Sequence, residues 1–279
     1  MNNMNDSYHI NGESEFFYML GLGPQLLLSL PFVIVFVWYI FAVIMSNRRY
    51  KPWPKRRIVF LTFGVLFATV SVAGPLASHA HMNFKAHMFG HLLLGMLAPL
   101  LMALSRPMTL LLRMISISSA RRLTSLLRKW PSKILTHPIT TVILNIGGLW
   151  LLYSTKLFTL MHHHVLLYLL IHIHVFLAGY LFTISILYID PIPHHISFLY
   201  RGIILIMALA GHAILAKYIF VHPPVGVTQS QAEFGSLLMY YGGDVIDMAI
   251  IFIFCLQWFK STQPRIKVEK VLQTTFSKH

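Results

Sequence analysis

The sequence predicts an all-α polytopic membrane protein, a bundle of seven transmembrane helices with an external amino terminus and an internal carboxyl terminus. Hydrophobic residues make up 56% of the chain and charged residues only 11%, with a mean hydropathy of +0.67, far from the averages of soluble domains. The apolar residues fall into blocks of about 18–24, which suits a hydrocarbon core of about 30 Å at 1.5 Å per residue. The basic residues fall between alternate blocks, which fixes an orientation through the positive-inside rule.

In chain order, Met1 to Glu15 is polar and carries Asp6, Glu13 and Glu15 with no basic residue ahead of the first apolar run. That is the wrong polarity for a signal peptide, so residues 1–23 read as an uncleaved external segment. The expected spans are Pro24 to Met45, Ile58 to Ala77, His87 to Leu104, His137 to Ser154, Val165 to Tyr188, Gly202 to Val221 and Leu237 to Phe259. They form one transmembrane domain over residues 24–260, followed by a cytoplasmic tail at 261–279. Arg48, Arg49, Lys51, Lys55, Arg56 and Arg57 follow the first span, Arg106, Arg113, Arg121, Arg122, Arg128, Lys129 and Lys133 the third, Arg201 the fifth, and Lys260, Arg265, Lys267, Lys270 and Lys278 the seventh. Of the 22 lysines and arginines, only Lys85, Lys156 and Lys217 stand elsewhere. Within residues 106–133, the stretch Met108 to Lys133 alternates apolar and basic residues and reads as an amphipathic helix on an anionic inner leaflet. Pro31, Gly64, Gly74, Pro75, Pro99, Gly147 and Gly148 lie within spans, where kinks or close helix contacts are expected.

The formal charge of +14 is a matter of topology here and not of nucleic-acid binding. The single cysteine, Cys255, excludes an internal disulfide or a CxxC metal motif. No nucleophile-base constellation or phosphate loop is present, so no enzymatic activity is expected.

The sixteen histidines concentrate on the outer half. His79 and His81 end the second span, His87 and His91 open the third at i, i+4 on one helix face, and His162, His163 and His164 precede the fifth. His172 and His174 lie within the fifth span, His212 within the sixth, and His222 just beyond it. His137, His194 and His195 fall on the inner side, with His9 and His279 in the tails. Counting inward from the outer ends, His91 lies roughly 7 Å deep and His174, His212 and Asp247 roughly 13 Å, with Asp244 shallower. Histidine and aspartate within a span are expensive, about 2.5–3.5 kcal/mol for a central charge on insertion scales, and usually face a partner or a cavity. The candidate metal-ligating residues are therefore His79, His81, His87, His91, His174, His212, Asp244 and Asp247. For the interfacial histidines, headgroup contact weighs as heavily as ligation; the aspartates read equally as ligands, as acceptors orienting an imidazole, or as proton carriers. Imidazole suits zinc, copper, iron and nickel, and Met82, Met88, Met96, Met239 and Met248 tilt the choice mildly toward monovalent copper. Axial histidines on facing helices leave haem as an open alternative.

The run His87-Met-Phe-Gly-His91-Leu-Leu-Leu-Gly-Met-Leu-Ala-Pro99-Leu-Leu-Met-Ala-Leu-Ser-Arg-Pro107 resembles the third-helix signature of the CtaG family of bacterial membrane proteins, which assemble caa-type cytochrome c oxidase. Further similarity lies in His174 with Phe176-Leu-Ala-Gly179-Tyr-Leu-Phe182, in Asp190-Pro191-Ile-Pro193, and in Gly235-Ser-Leu-Leu-Met-Tyr-Tyr-Gly-Gly-Asp244. One departure is Ser230-Gln231-Ala-Glu233-Phe-Gly235, where the family pattern carries Asp-Gln-Gln, so that Asp has no counterpart unless Glu233 replaces it. The resemblance implies a factor in the bacterial plasma membrane that delivers copper at its outer face to the catalytic subunit of the oxidase, with an external copper donor protein and lipid as further partners. It points to His87, His91 and His174. The alternatives are a haem-binding redox protein, or a proton- or metal-coupled transporter using His212, Asp244, Asp247 and Lys217.

Overall fold

A computed structural model describes residues 22–191 and 196–263, and all regular structure among them is helical. His9, His194, His195, His279, most of the expected external segment and the tail beyond residue 263 lie outside the described residues. The chain runs through α1 (Leu22–Arg49), α2 (Lys55–Val72), α3 (Pro75–Met82) and α4 (Phe84–Leu104). Three short helices follow, α5 (Pro107–Met114), α6 (Ile117–Leu127) and α7 (Trp130–Leu135). The rest is α8 (Pro138–Ser154), α9 (Leu157–His163), α10 (Val165–Leu187), α11 (Phe198–Val221) and α12 (Gln229–Thr262).

Five of these, α1, α4, α10, α11 and α12, are each long and apolar enough to cross a membrane; α2 with α3 and α8 with α9 make bent pairs, giving up to seven spans. The first bend falls at Gly74 and Pro75, where the sequence leads one to expect a kink; the second falls past Ser154, the expected end of the fourth span. At α2–α3 the chain turns by 43° through Gly74, whose φ of +84° is open to glycine at little steric cost, and Pro75 then starts α3 without needing an amide partner. At α8–α9 the turn is 80°, so residues expected to form a connecting loop make a further helix that folds across the end of the bundle. The segment expected to be one amphipathic helix is three, because Ser116 accepts the Ser119 amide at 3.2 Å as a helix cap and Pro131 sits at the start of α7, both signals for a new helix start.

The most buried of the long helices is α4, with 72% of its apolar window inside the protein against 28–39% for the others. It packs between α2, α10 and α12. Residues 93–97 of α4 are wound as a wider π turn, and the cause is local. Pro99 has no N–H to return to the Gly95 carbonyl four residues back, and the helix absorbs the mismatch as a bulge. The Gly95 carbonyl faces Gly179 of α10 so closely that a Cβ there would fall 2.0 Å from its oxygen. A second π turn, residues 143–147, lies in α8.

At the basic end of the bundle, Asp190 accepts the Met108 amide at 3.1 Å and the Thr109 amide at 2.9 Å, capping α5. The Asp-Pro element after α10 is thus a tie between two connections. Arg201, read from sequence as a loop cation, is 2% exposed; its guanidinium lies over the rings of Tyr188 and Phe198 at 3.9 and 4.3 Å and donates to the Ile186 carbonyl, an aromatic enclosure that compensates a desolvated cation.

Candidate functional site

The two bends carry α3 and α9 over the first turns of α4 and α10. His81 from α3, His87 and His91 from α4, His162 from α9 and His172 from α10 line one cavity of about 30 Å³, joined by Tyr153 of α8 and Tyr168 of α10. The His162 ring lies 5.8 Å from that of His81 and 6.3 Å from that of His87, centroid to centroid. Tyr168 stacks between His81 at 4.9 Å and His172 at 4.0 Å, and Tyr153 Oη lies 3.0 Å from His87 Nε2.

Two of these rings have their tautomer fixed by their own helix. His162 Nδ1 lies 2.8 Å from the Phe158 carbonyl and His172 Nδ1 2.8 Å from that of Tyr168. A carbonyl only accepts, so the proton sits on Nδ1 and the lone pair on Nε2, the state a neutral imidazole needs in order to ligate a metal. With nitrogen–metal bonds of about 2.0–2.1 Å, two imidazoles sharing one ion have ring centroids about 5–6.5 Å apart, from tetrahedral to linear. Both His162 pairs fall in that interval. Among the described residues, however, no three His, Cys, Asp or Glu side chains converge on one ion position. The cavity offers pairs of donors and not a closed cage.

Below it lies a second cavity of about 20 Å³, lined by His91, Met96, Asn145, Thr183, His212 and Asp247 among others. His91 belongs to both. The Nε2 atoms of His91 and His212 are buried without a hydrogen-bond partner, and Asp247 is 7% exposed. His212 reaches this level because Gly243 of α12 leaves it room, a Cβ there falling 2.6 Å from the ring.

Of the eight candidates, the structure thus brings His81, His87 and His91 to the upper cavity and His91, His212 and Asp247 to the lower. It leaves three outside both. His79 is exposed, with Nδ1 on the Pro75 carbonyl at 2.7 Å. His174 is exposed, its Nε2 donating to the Leu144 carbonyl in the π turn of α8 at 3.0 Å, in space left by Gly148. Asp244 is exposed on α12. Sequence reasoning gave the His162 run equal weight as ligands and as headgroup contacts without choosing it, and named His172 without choosing it; Tyr153 and Tyr168 it passed over. The i−4 aromatic before each, Phe158 before His162 and Tyr168 before His172, was the available signal. The thioethers do not line the upper cavity: Met88 and Met239 are fully buried in packing, while Met82 and Met248 are 69% and 61% exposed.

Membrane-length apolar helices around an imidazole-lined cavity define a multi-pass membrane protein with histidines gathered inside its helical bundle. Residues 37–261 match the family described as cytochrome c oxidase caa3 assembly factor, and the chain belongs to that family. It is 29% identical over 189 residues to an uncharacterized protein of Mycobacterium leprae, and 28% identical over 188 residues to uncharacterized proteins of Mycobacterium bovis and Mycobacterium tuberculosis. Each match covers 65% of this chain and 28% of the relative, so the chain spans under a third of the length of these curated relatives. No solved structure matches it.

Proposed function

We propose that this protein handles copper during maturation of a haem-copper cytochrome c oxidase, receiving the ion in the His81–His87–His162–His172 cavity and passing it to the catalytic subunit. The observation that carries this reading is the placement of imidazoles from four helices around one cavity, two of them with Nε2 left free by a main-chain bond, in a chain of an oxidase assembly family. Copper is cargo in this scheme, and cargo has to leave. Two-donor binding without a completed tetrahedral cage suits exchange better than the closed sites of structural metals.

The direction of the cavity follows from charge. Arg48 and Arg49 end α1, Lys55, Arg56 and Arg57 begin α2, and Arg106 follows α4, all at the opposite ends of helices from the histidines. Under the positive-inside rule that end is cytoplasmic, so the cavity opens at the outer face of a bacterial plasma membrane, with seven spans when each bent pair is one. The exposed apolar residues Ile117 and Trp130 on α6 and α7 then meet the inner leaflet.

The test is a His87→Ala/His162→Ala variant expressed beside the oxidase. The variant inserts at the normal level, haem content of the purified oxidase is unchanged, and its copper content and activity fall. Normal oxidase copper and activity would overturn the assignment, and a Soret band on the purified protein would move it to haem binding.

A further inference from the structure

Beneath the imidazole cavity, the lower chamber poses a separate problem. Three helices each place a buried polar group on its wall: His91 from α4, His212 from α11 and Asp247 from α12. Two of these each carry an unpaired nitrogen, since Nε2 of His91 and Nε2 of His212 are both buried without a partner. Asp247 is the one buried carboxylate among the described residues. Buried polar atoms are paired in the great majority of proteins, and those that are not point to a function or an occupant. The cost of leaving two imidazole nitrogens unpaired beside a buried carboxylate in a membrane interior is high enough that packing alone is a poor account of them.

The donors define the occupant. Two imidazole nitrogens with the Met96 thioether on the same wall are a soft set, which favours monovalent copper over zinc or magnesium. Charge points the same way. One carboxylate beside a monovalent ion leaves the chamber neutral, whereas a divalent ion leaves a net unit charge in a medium that solvates it badly. His91 lines both cavities, so one imidazole stands between the upper donors and the lower ones.

We propose that the lower chamber is a second ion station, selective for monovalent over divalent metal, in which His91 and His212 bind copper(I), Met96 supplies a soft third contact and Asp247 balances the charge. This rests on the reading of the upper cavity as a copper site and adds to it a route: the ion moves inward past His91 and does not simply dock and depart at the surface.

The experiment uses the full chain in lipid nanodiscs, loaded anaerobically with copper(I) as its acetonitrile complex, desalted, and assayed for copper per chain by mass spectrometry. The wild type holds two ions. His212→Gln/Asp247→Asn loses one, and His87→Ala/His162→Ala loses the other. Because the first variant alters buried groups, Ala208→Leu provides a second route: Ala208 is 2% exposed on the chamber wall, and the larger side chain fills the chamber while all donors remain, so it too loses one ion. Zinc loading fills only the upper site and is untouched by His212→Gln/Asp247→Asn. If that variant and Ala208→Leu both keep two copper ions, the second station is wrong and the upper site stands. If zinc is lost with Asp247 and His212, the charge argument is wrong. If the wild type holds no copper, both readings fall together.

Discussion

His174 and His172 stand two residues apart on α10 and do different work. His172 faces the upper cavity, while His174 points to α8 and donates to the Leu144 carbonyl. The account therefore predicts that His174→Ala leaves copper binding by the purified protein unchanged and lowers stability by about 1 kcal/mol, the net worth of one hydrogen bond; a copper titration and a thermal melt on the same sample check both. Loss of copper with normal stability would return His174 to the site, as the family resemblance first implied. Depth along a helix was legible from sequence, and it placed these two histidines at nearly one level. Azimuth was not. A strong polar stripe tells which face of a helix points inward, but α10 is apolar around almost its whole circumference, with Leu166, Leu170, Ile173 and Leu177 exposed, so nothing in the sequence separates the face of His172 from that of His174. His87 and His91 were legible because a spacing of four fixes a shared face whatever lies around it.

Among the helices, the close contact of α4 with α10 lines the lower cavity through Gly95 and Gly179. It depends on Gly179 meeting the carbonyl that Pro99 frees, with no room for a methyl group. Gly179→Ala has to push the helices apart and is predicted to cost about 3 kcal/mol or more. Gly147→Ala, where the nearest atom would be the Ile143 side chain at 3.8 Å, should change stability by less than about 1 kcal/mol. Melting temperatures in one detergent compare them; equal effects would contradict the close-approach argument. Straight apolar spans were legible from length. The bends were less so, because Gly74-Pro75 is a visible break whose angle is not, and Ser154-Thr155-Lys156 carries no glycine or proline although the chain turns by 80° there. That turn brings His162 to the cavity, which is why the sequence alone left the run of three histidines balanced between ligation and headgroup contact. The Asp190-Pro191 element, recognisable as a motif, turns out to cap α5 through Met108 and Thr109, a role that depends on tertiary contact alone.

For the whole molecule, the arginine clusters and the cavity histidines occupy opposite ends. At the basic end Arg57 lies over Trp53 at 4.4 Å, Arg113 reaches the Lys51 carbonyl at 3.0 Å, and Trp53 donates to Tyr39, which donates to the Ser105 carbonyl at 2.8 Å. These bonds join α1, the loop before α2 and the end of α4 into one plate. If the plate is cytoplasmic, a fluorescent protein fused after residue 279 will fold and fluoresce, and alkaline phosphatase fused at the same point will be inactive; the reverse pattern would turn the histidine cavity to the wrong side for receiving external copper. The claim beneath everything else is that imidazoles in the upper cavity ligate the ion. X-ray absorption at the copper edge, on the copper(I)-loaded full chain, tests it most directly. The account predicts imidazole nitrogen at about 2.0 Å, with signal lost in proportion when His87 and His162 are replaced. Copper held by oxygen or sulfur alone, or a spectrum indifferent to those two histidines, would contradict it.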